Sequence, residues 1–264
     1  MRIIVCMKQV LDLEKIRIKT ETREPVLDGV PLRLGDFEKN ALEAAVRIKE
    51  AGEGVTVTVV SAGSPKLKDT IKEALAIGAD EAIILTDPAF QGSDAAGSAL
   101  ALARAIEKAG DYDLILLGEG STDEYSGQVP PRLAEILGLP QITYVRELEL
   151  LEGGRLRAVR DLDDVLETVE VRLPAVVSVT SELNQPRLPA LTAILKAARK
   201  PLLTWGPEEI GLSKEEVGSG AAKVVELSNL APAQERKEMI LEEDVEGAVA
   251  KVLKALEQEG VLSS

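Results

Sequence analysis

The first half of the chain repeats one unit: a short run of apolar or β-branched residues, a loop of small and polar residues, then a segment with helical spacing. The runs lie at residues 3–7 (IIVCM), 55–60 (VTVTVV), 82–85 (AIIL) and 112–117 (YDLILL). Short runs of this kind suit strands buried on both faces. Between them, Phe37, Ala41, Ala45 and Ile48 fall on one helical stripe, with Asp36 as a cap. Leu67, Ile71, Ala74 and Leu75 mark a second helix, stopped at Gly78. An Ala-rich third helix starts at Ser93 or Asp94 and runs to about Ala109; a fourth carries Leu133, Ile136 and Leu137. Alternation of strand and helix predicts an α/β fold with a doubly wound, mostly parallel sheet. Right-handed crossovers then bring the loops after Met7, near Gly35, after Val60 and after Leu117 to one edge, where open sheets bind ligands.

The loop after Leu117 is rich in Gly, Ser and Asp. Ser126 suits an N-cap, and Pro130 and Pro131 suit a first helical turn. If a phosphate binds there, the amides offered to it are those of Gly127, Gln128 and Val129. An ordinary turn without a ligand fits the spacing equally well.

From Ile142 the pattern changes. Residues 145–151, 155–160 and 167–173 alternate polar and apolar and are joined by Gly153-Gly154 and an acidic turn, which predicts an antiparallel meander. Residues 175–179 (AVVSV) return to the main sheet. Residues 191–199 suggest a short basic helix. Near the C-terminus Val245, Ala248, Val249, Val252, Leu253 and Leu256 share one stripe. These features divide the chain into an α/β domain at residues 1–180 and, at 181–264, a recognition loop and an extended C-terminal arm. The arm has too little apolar surface to fold alone and must dock on a neighbour.

The chemistry open to the chain is restricted. It contains no His and a single Cys. That removes His-based catalysis, His zinc sites and an internal disulfide. The formal net charge of −14 argues against nucleic-acid binding. The opening residues do not resemble a signal peptide, and no apolar run approaches the roughly 20 residues of a membrane span; a cytoplasmic protein is expected. Neither GxGxxG nor GxxxxGK[ST] occurs. Asp123 and Glu124 read as a solvated capping pair before they read as catalytic acids. Asp161, Asp163 and Asp164 read as a turn rather than a metal site. Cys6 reads as a small buried residue. Arg187 reads as a surface cation.

Several segments, in order, resemble the β subunit of electron transfer flavoproteins: RIIVCMKQVLD, DGVPLRLGDFEKNALEAAVRIKE, ALAIGADEAIIL, VRDLDDVLETVEVRLPAVVSVT and LNQPRLPALTAILKAARK. The resemblance covers nearly the whole chain. It implies a heterodimer with an α subunit that carries FAD, passing electrons from a donor dehydrogenase to a quinone reductase or another acceptor. It also implies a second nucleotide in the β pocket: AMP in one group, a second FAD that accepts electrons from NADH in the electron-bifurcating group. Carried over, the pocket comprises Cys6, Gly35, Asp36, Phe37, Glu38, Ala62, Ser121, Thr122, Asp123, Glu124, Tyr125, Ser126, Gly127, Gln128, Val129, Pro130, Pro131 and Arg132. The recognition loop centres on Leu191, with Arg187 near the subunit boundary. Gly127-Gln128-Val129-Pro130-Pro131 is closer to the bifurcating pattern than to the Asn-Gln-Thr-Gly-Gln of AMP binders, which favours FAD. The alternative reading is a non-redox adenine-nucleotide-binding regulatory domain.

Overall fold

The structure is a computed structural model and describes residues 1–233 and 240–262. It comprises two compact units, residues 1–17 with 26–229, and residues 18–25 with the described residues from 230 onward. In chain order the strands are β1 (Arg2–Leu11), β2 (Arg17–Ile18), β3 (Pro25–Val26), β4 (Leu32–Leu34), β5 (Thr56–Ala62), β6 (Glu81–Leu85), β7 (Leu114–Gly118), β8 (Gln141–Leu151), β9 (Arg155–Leu162), β10 (Val165–Arg172), β11 (Ala175–Val179) and β12 (Leu202–Trp205). The helices are α1 (Asp36–Ala51), α2 (Leu67–Ile77), α3 (Ala95–Ala109), α4 (Val129–Leu137), α5 (Leu191–Ala197) and α6 (Val245–Gln258).

The larger unit is built on a sheet of order β10-β9-β8-β11-β7-β1-β5-β6-β12, with β4 pairing on β1. From β8 to β12 through β11, β7, β1, β5 and β6 every pair is parallel. β8, β9 and β10 form the antiparallel meander. The two faces are filled from alternate residues of the same strands, as a period of two requires. Ile3, Val5, Val57, Val59, Leu114 and Leu116 pack with Ala41, Leu42 and Ile71, so α1 and α2 cover one face. Ile4, Val60, Ile83 and Ile115 pack with Ala103, Ile106, Leu133 and Ala134, so α3 and α4 cover the other.

The structure corrects the sequence reading at several points. The first strand does not end with the apolar run at residues 3–7; it runs to Leu11, because β4 returns antiparallel on Gln9, Val10 and Leu11 and pairs their backbone. The first helix is capped by Gly35, and Asp36 is already helical, its carboxylate paired with Arg33. Ser126 does not cap α4. The N-cap is Gln128, and Gly127, at φ 64°, turns the chain so that the Ser126 hydroxyl reaches only the Gln128 amide, at 3.4 Å. β12, parallel to β6, was not expected.

In the smaller unit α6 starts from Asp244, whose side chain accepts the Gly247 amide. Its apolar stripe is exposed: Val245 80%, Val249 53% and Leu253 47%. Among the described residues no helix is long and apolar enough to cross a membrane.

Candidate functional site

The connection from β1 goes to β5 and β6 on one side, and β7 lies on the other. The gap beyond the carboxyl ends of β1 and β7 is therefore the topological switch point, where loops diverge and leave a crevice. A cleft of about 190 Å³ lies there. Its wall takes Cys6, Met7 and Lys8 from β1, Glu38 from α1, Ala62 from β5, and Ser93, Asp94, Ala95, Ser98 and Leu102 from the start of α3. Leu117, Gly118, Glu119, Gly120, Ser121, Glu124, Ser126, Gly127, Gln128, Val129 and Pro130 complete it.

Close packing shapes the floor. A Cβ on Gly118 would sit 2.6 Å from Phe37 Cβ and 3.1 Å from the Glu38 nitrogen. Only glycine lets the end of β7 meet the first turn of α1. The Phe37 ring lies 5.6 Å from that of Tyr125, tilted by 55°. The Tyr125 hydroxyl donates to Glu119 Oε1 at 2.7 Å. That bond pushes the phenol up to about 12.

Electrostatically the cleft has two ends. At one, Lys8 Nζ donates to Ser121 Oγ at 3.2 Å, Asp123 Oδ1 at 2.8 Å and Glu124 Oε2 at 3.1 Å. Burial works against the ammonium, but the bond and charge of Asp123, supported by Glu124, hold its pKa above the usual lysine value. Desolvation raises the pKa of Asp123, but the bonds from Lys8 and Ser121 outweigh this and keep it low. Glu38, 5% exposed, is pushed up to about 7 by burial, against its own backbone amide and the charge of Lys8. Burial pushes the Cys6 thiol up to about 12, which keeps it protonated. At the other end lie the first turns of α3 and α4. Asp94 caps α3 by accepting from the Ala96 and Gly97 amides at 3.0 and 2.9 Å. Among the described residues no group of acidic or Cys side chains could hold a metal ion.

Of the residues expected in the pocket, Cys6, Glu38, Ala62, Ser121, Glu124, Ser126, Gly127, Gln128, Val129 and Pro130 line the cleft. Gly35, Asp36, Phe37, Thr122, Asp123, Tyr125, Pro131 and Arg132 do not. Gly35 lies against the Glu38 carboxyl, and Asp123 grips Lys8 from behind. Arg132 turns along α4 to Gln128 Oε1, at 2.8 Å. Sequence reasoning missed Lys8, Glu119 and the whole α3 turn. The α3 cap was legible at Ser93-Asp94, but its place on the cleft depends on the crossover from β6.

Arg187 pairs within the chain rather than standing free. Its guanidinium donates to Glu43 Oε2 at 2.8 Å and to Glu50 Oε1 at 2.5 Å, and its amide donates to Glu43 at 3.2 Å. The Glu50 and Glu43 bonds raise its pKa further. Asn40 and Asn184 add a reciprocal pair of bonds to the same helix. The loop so anchored presents Leu188 (92% exposed), Leu191 (74%) and Leu195 (69%).

The electron transfer flavoprotein domain profile matches residues 26–210. The chain is 38% identical to the electron transfer flavoprotein subunit beta of Thermoanaerobacterium thermosaccharolyticum, over 99% of this chain and 100% of that one. It is 35% identical to the caffeyl-CoA reductase-Etf complex subunit CarD of Acetobacterium woodii, again over 99% and 100%. It is 36% identical to the beta subunit of Clostridium acetobutylicum, over 98% and 99%.

Proposed function

The chain belongs to the electron transfer flavoprotein family, among its β subunits, and from that premise we propose that it holds an FAD in the switch-point cleft and serves a flavin-based electron-transfer heterodimer. The observation that carries the reading is the cleft itself. It sits beyond β1 and β7, it is closed by glycine contacts that exclude side chains, and it is bordered by Glu38, whose buried carboxyl oxygen Oε2 has no partner among the described residues. These features fit a group that brings its own hydrogen-bond donors. Cys6, Glu38, Ala62, Ser121 and Gly127 to Pro130 would hold it. When bound, the flavin supplies the electron-accepting and electron-donating chemistry.

The chain's own residues bind, orient and shield. The Gly127, Gln128 and Val129 amides stand at the entrance to α4, the position suited to a phosphate. Pro130 follows without an amide and limits the contact to that turn. The protonated Cys6 thiol and Met7 give an apolar wall. No side chain of the cleft is asked to shuttle protons.

The partner is an α subunit that carries its own FAD. The exposed stripe of α6 and the Leu188–Leu191–Leu195 surface are separate apolar faces suited to partner chains. In this reading residues 181–264 supply the recognition loop and the arm, and Arg187 positions the loop from below. The likeness to a caffeyl-CoA reductase-Etf complex subunit, together with Val129-Pro130-Pro131, supports FAD over AMP, and the bifurcating pattern of that turn makes NADH a donor in this reading. The test is the small-molecule content of the purified heterodimer. Two FAD per heterodimer are expected; one FAD with one AMP would replace FAD by AMP in this cleft.

A further inference from the structure

Among the described residues, the buried side-chain oxygens without a hydrogen-bond partner are Asp12 Oδ1 and Glu38 Oε2. Of these two residues only Glu38 borders the cleft. Its carboxyl is folded against Gly35, where any Cβ would collide with Oε2. The nearest cation cannot satisfy it. An ammonium has three N–H bonds, and Lys8 directs its own at Ser121, Asp123 and Glu124. A buried acceptor without a donor is costly, and such orphans call for a partner from outside the chain. The carboxyl torsion of glutamate is soft, so a small rotation presents the orphan oxygen to the cleft.

The charges around Glu38 decide which part of a ligand can reach it. Lys8 on β1, Asp123 on the loop after β7 and Asp36 on its own helix are its charged neighbours. Glu124 also holds Lys8, Arg33 is paired with Asp36, and the Cys6 thiol stays protonated. The Lys8 ammonium is already shared among Ser121, Asp123 and Glu124, and the other charged neighbours of Glu38 are carboxylates, so a phosphate is repelled from this end and a neutral donor is welcome. Resting on the nucleotide-binding reading, we propose that the Glu38 carboxylate orients the ligand. It accepts a hydrogen bond from a neutral donor of the nucleoside, a sugar hydroxyl or the base amine, and leaves the phosphate to the Gly127–Val129 turn. The ligand thus enters with a fixed polarity. Binding is coupled to the ionisation of Glu38, which burial has already moved to about 7 in the ligand-free chain.

The test is calorimetric titration of adenosine into the heterodimer of the full-length chain, freed of resident nucleotide by dialysis against chaotropic salt. Adenosine has no phosphate and nothing that titrates near neutral pH. The wild type is expected to bind roughly tenfold more tightly at about pH 8 than at about pH 6, with release of a proton. Glu38→Gln should bind at both pH values as weakly as the wild type does at the lower one. Glu38→Asp, which keeps the charge but withdraws it, should retain a reduced pH dependence. Purine riboside lacks the amine and 2′,3′-dideoxyadenosine lacks the 2′ and 3′ hydroxyls, the 5′ oxygen being the one esterified in a nucleotide; whichever loses the pH dependence identifies the donor. A wild-type affinity that is flat, or that tightens as pH falls, overturns the assignment without any variant having to fold. So does retention of the full pH dependence by both analogues. Failure of the wild type to bind adenosine or AMP at any pH overturns the nucleotide reading itself, and this inference with it.

Discussion

Replacing Glu38 by Gln in the ligand-free chain should change the pH dependence of stability in a defined direction. Glu38 titrates at about 7 when folded, against an ordinary 4.5, because burial opposes its charge. The unfolded chain therefore binds fewer protons at this site between those values. Stability contributed by the neutral carboxyl is complete below the lower value and is lost as pH rises through the upper one. A difference of about 2.5 units at about 1.4 kcal/mol each amounts to roughly 3 kcal/mol at pH 8. Gln cannot ionise, but its amide donors also need partners, at a cost of about 1 kcal/mol. Glu38→Gln should thus raise stability by about 2 kcal/mol at pH 8, a rise in Tm of roughly 4–8 °C. The advantage should vanish or reverse near pH 5. Urea and thermal unfolding of both proteins across that range measure it. Wild-type and variant curves that run parallel with pH would mean that Glu38 is ionised at no cost, against what its burial requires.

The remaining predictions concern packing, anchoring and reactivity. Gly118→Ala drives a methyl into Phe37 at 2.6 Å; it should destabilise by about 1–3 kcal/mol and weaken nucleotide binding. Gly63→Ala, whose methyl meets nothing closer than 3.4 Å, should do neither, by the same melts and titrations. Arg187→Met removes one of the two arginines on the buried Glu43 carboxylate, whose side chain is 3% exposed. It should cost about 2 kcal/mol in urea unfolding. Leu191→Glu, at 74% exposure, should leave stability within about 0.5 kcal/mol and slow electron exchange with partner proteins, read by stopped-flow absorbance. Cys6 should resist thiol reagents in the native protein at pH 8 and react on unfolding, since burial holds the thiol protonated.

Much of the fold is legible because the residues that build it repeat a local rule. Ile3, Val5, Leu114 and Leu116 face one layer and Ile4, Cys6, Ile115 and Leu117 the other, and the apolar runs show as much. β12 was hidden because Leu202–Trp205 is four residues long and only partly buried at the sheet edge. β8 opens at Gln141, before the alternation expected from residue 145, because its first residues, Gln141 to Tyr144, are mostly polar and yet pair parallel with β11. The site is less legible. The loop after β7 announces itself through small residues, whereas Lys8 acquires its meaning only from Asp123 and Glu124, more than a hundred residues away. Arg187 looked free because Glu43 and Glu50 lie on a helix 137 or more positions earlier. Such pairings are set by the packing of α1 against the loop after β11, and no local pattern encodes them.

In the proposed reading this β-type chain holds its own adenine-bearing cofactor at the β1/β7 switch point. The most direct measurement is chromatographic quantification of the flavin and adenine compounds released by acid from the purified heterodimer, repeated on Gly118→Ala. Two FAD per heterodimer are expected in the wild type, with loss of one of them in the variant. A heterodimer with a single FAD and no second adenine compound would contradict it.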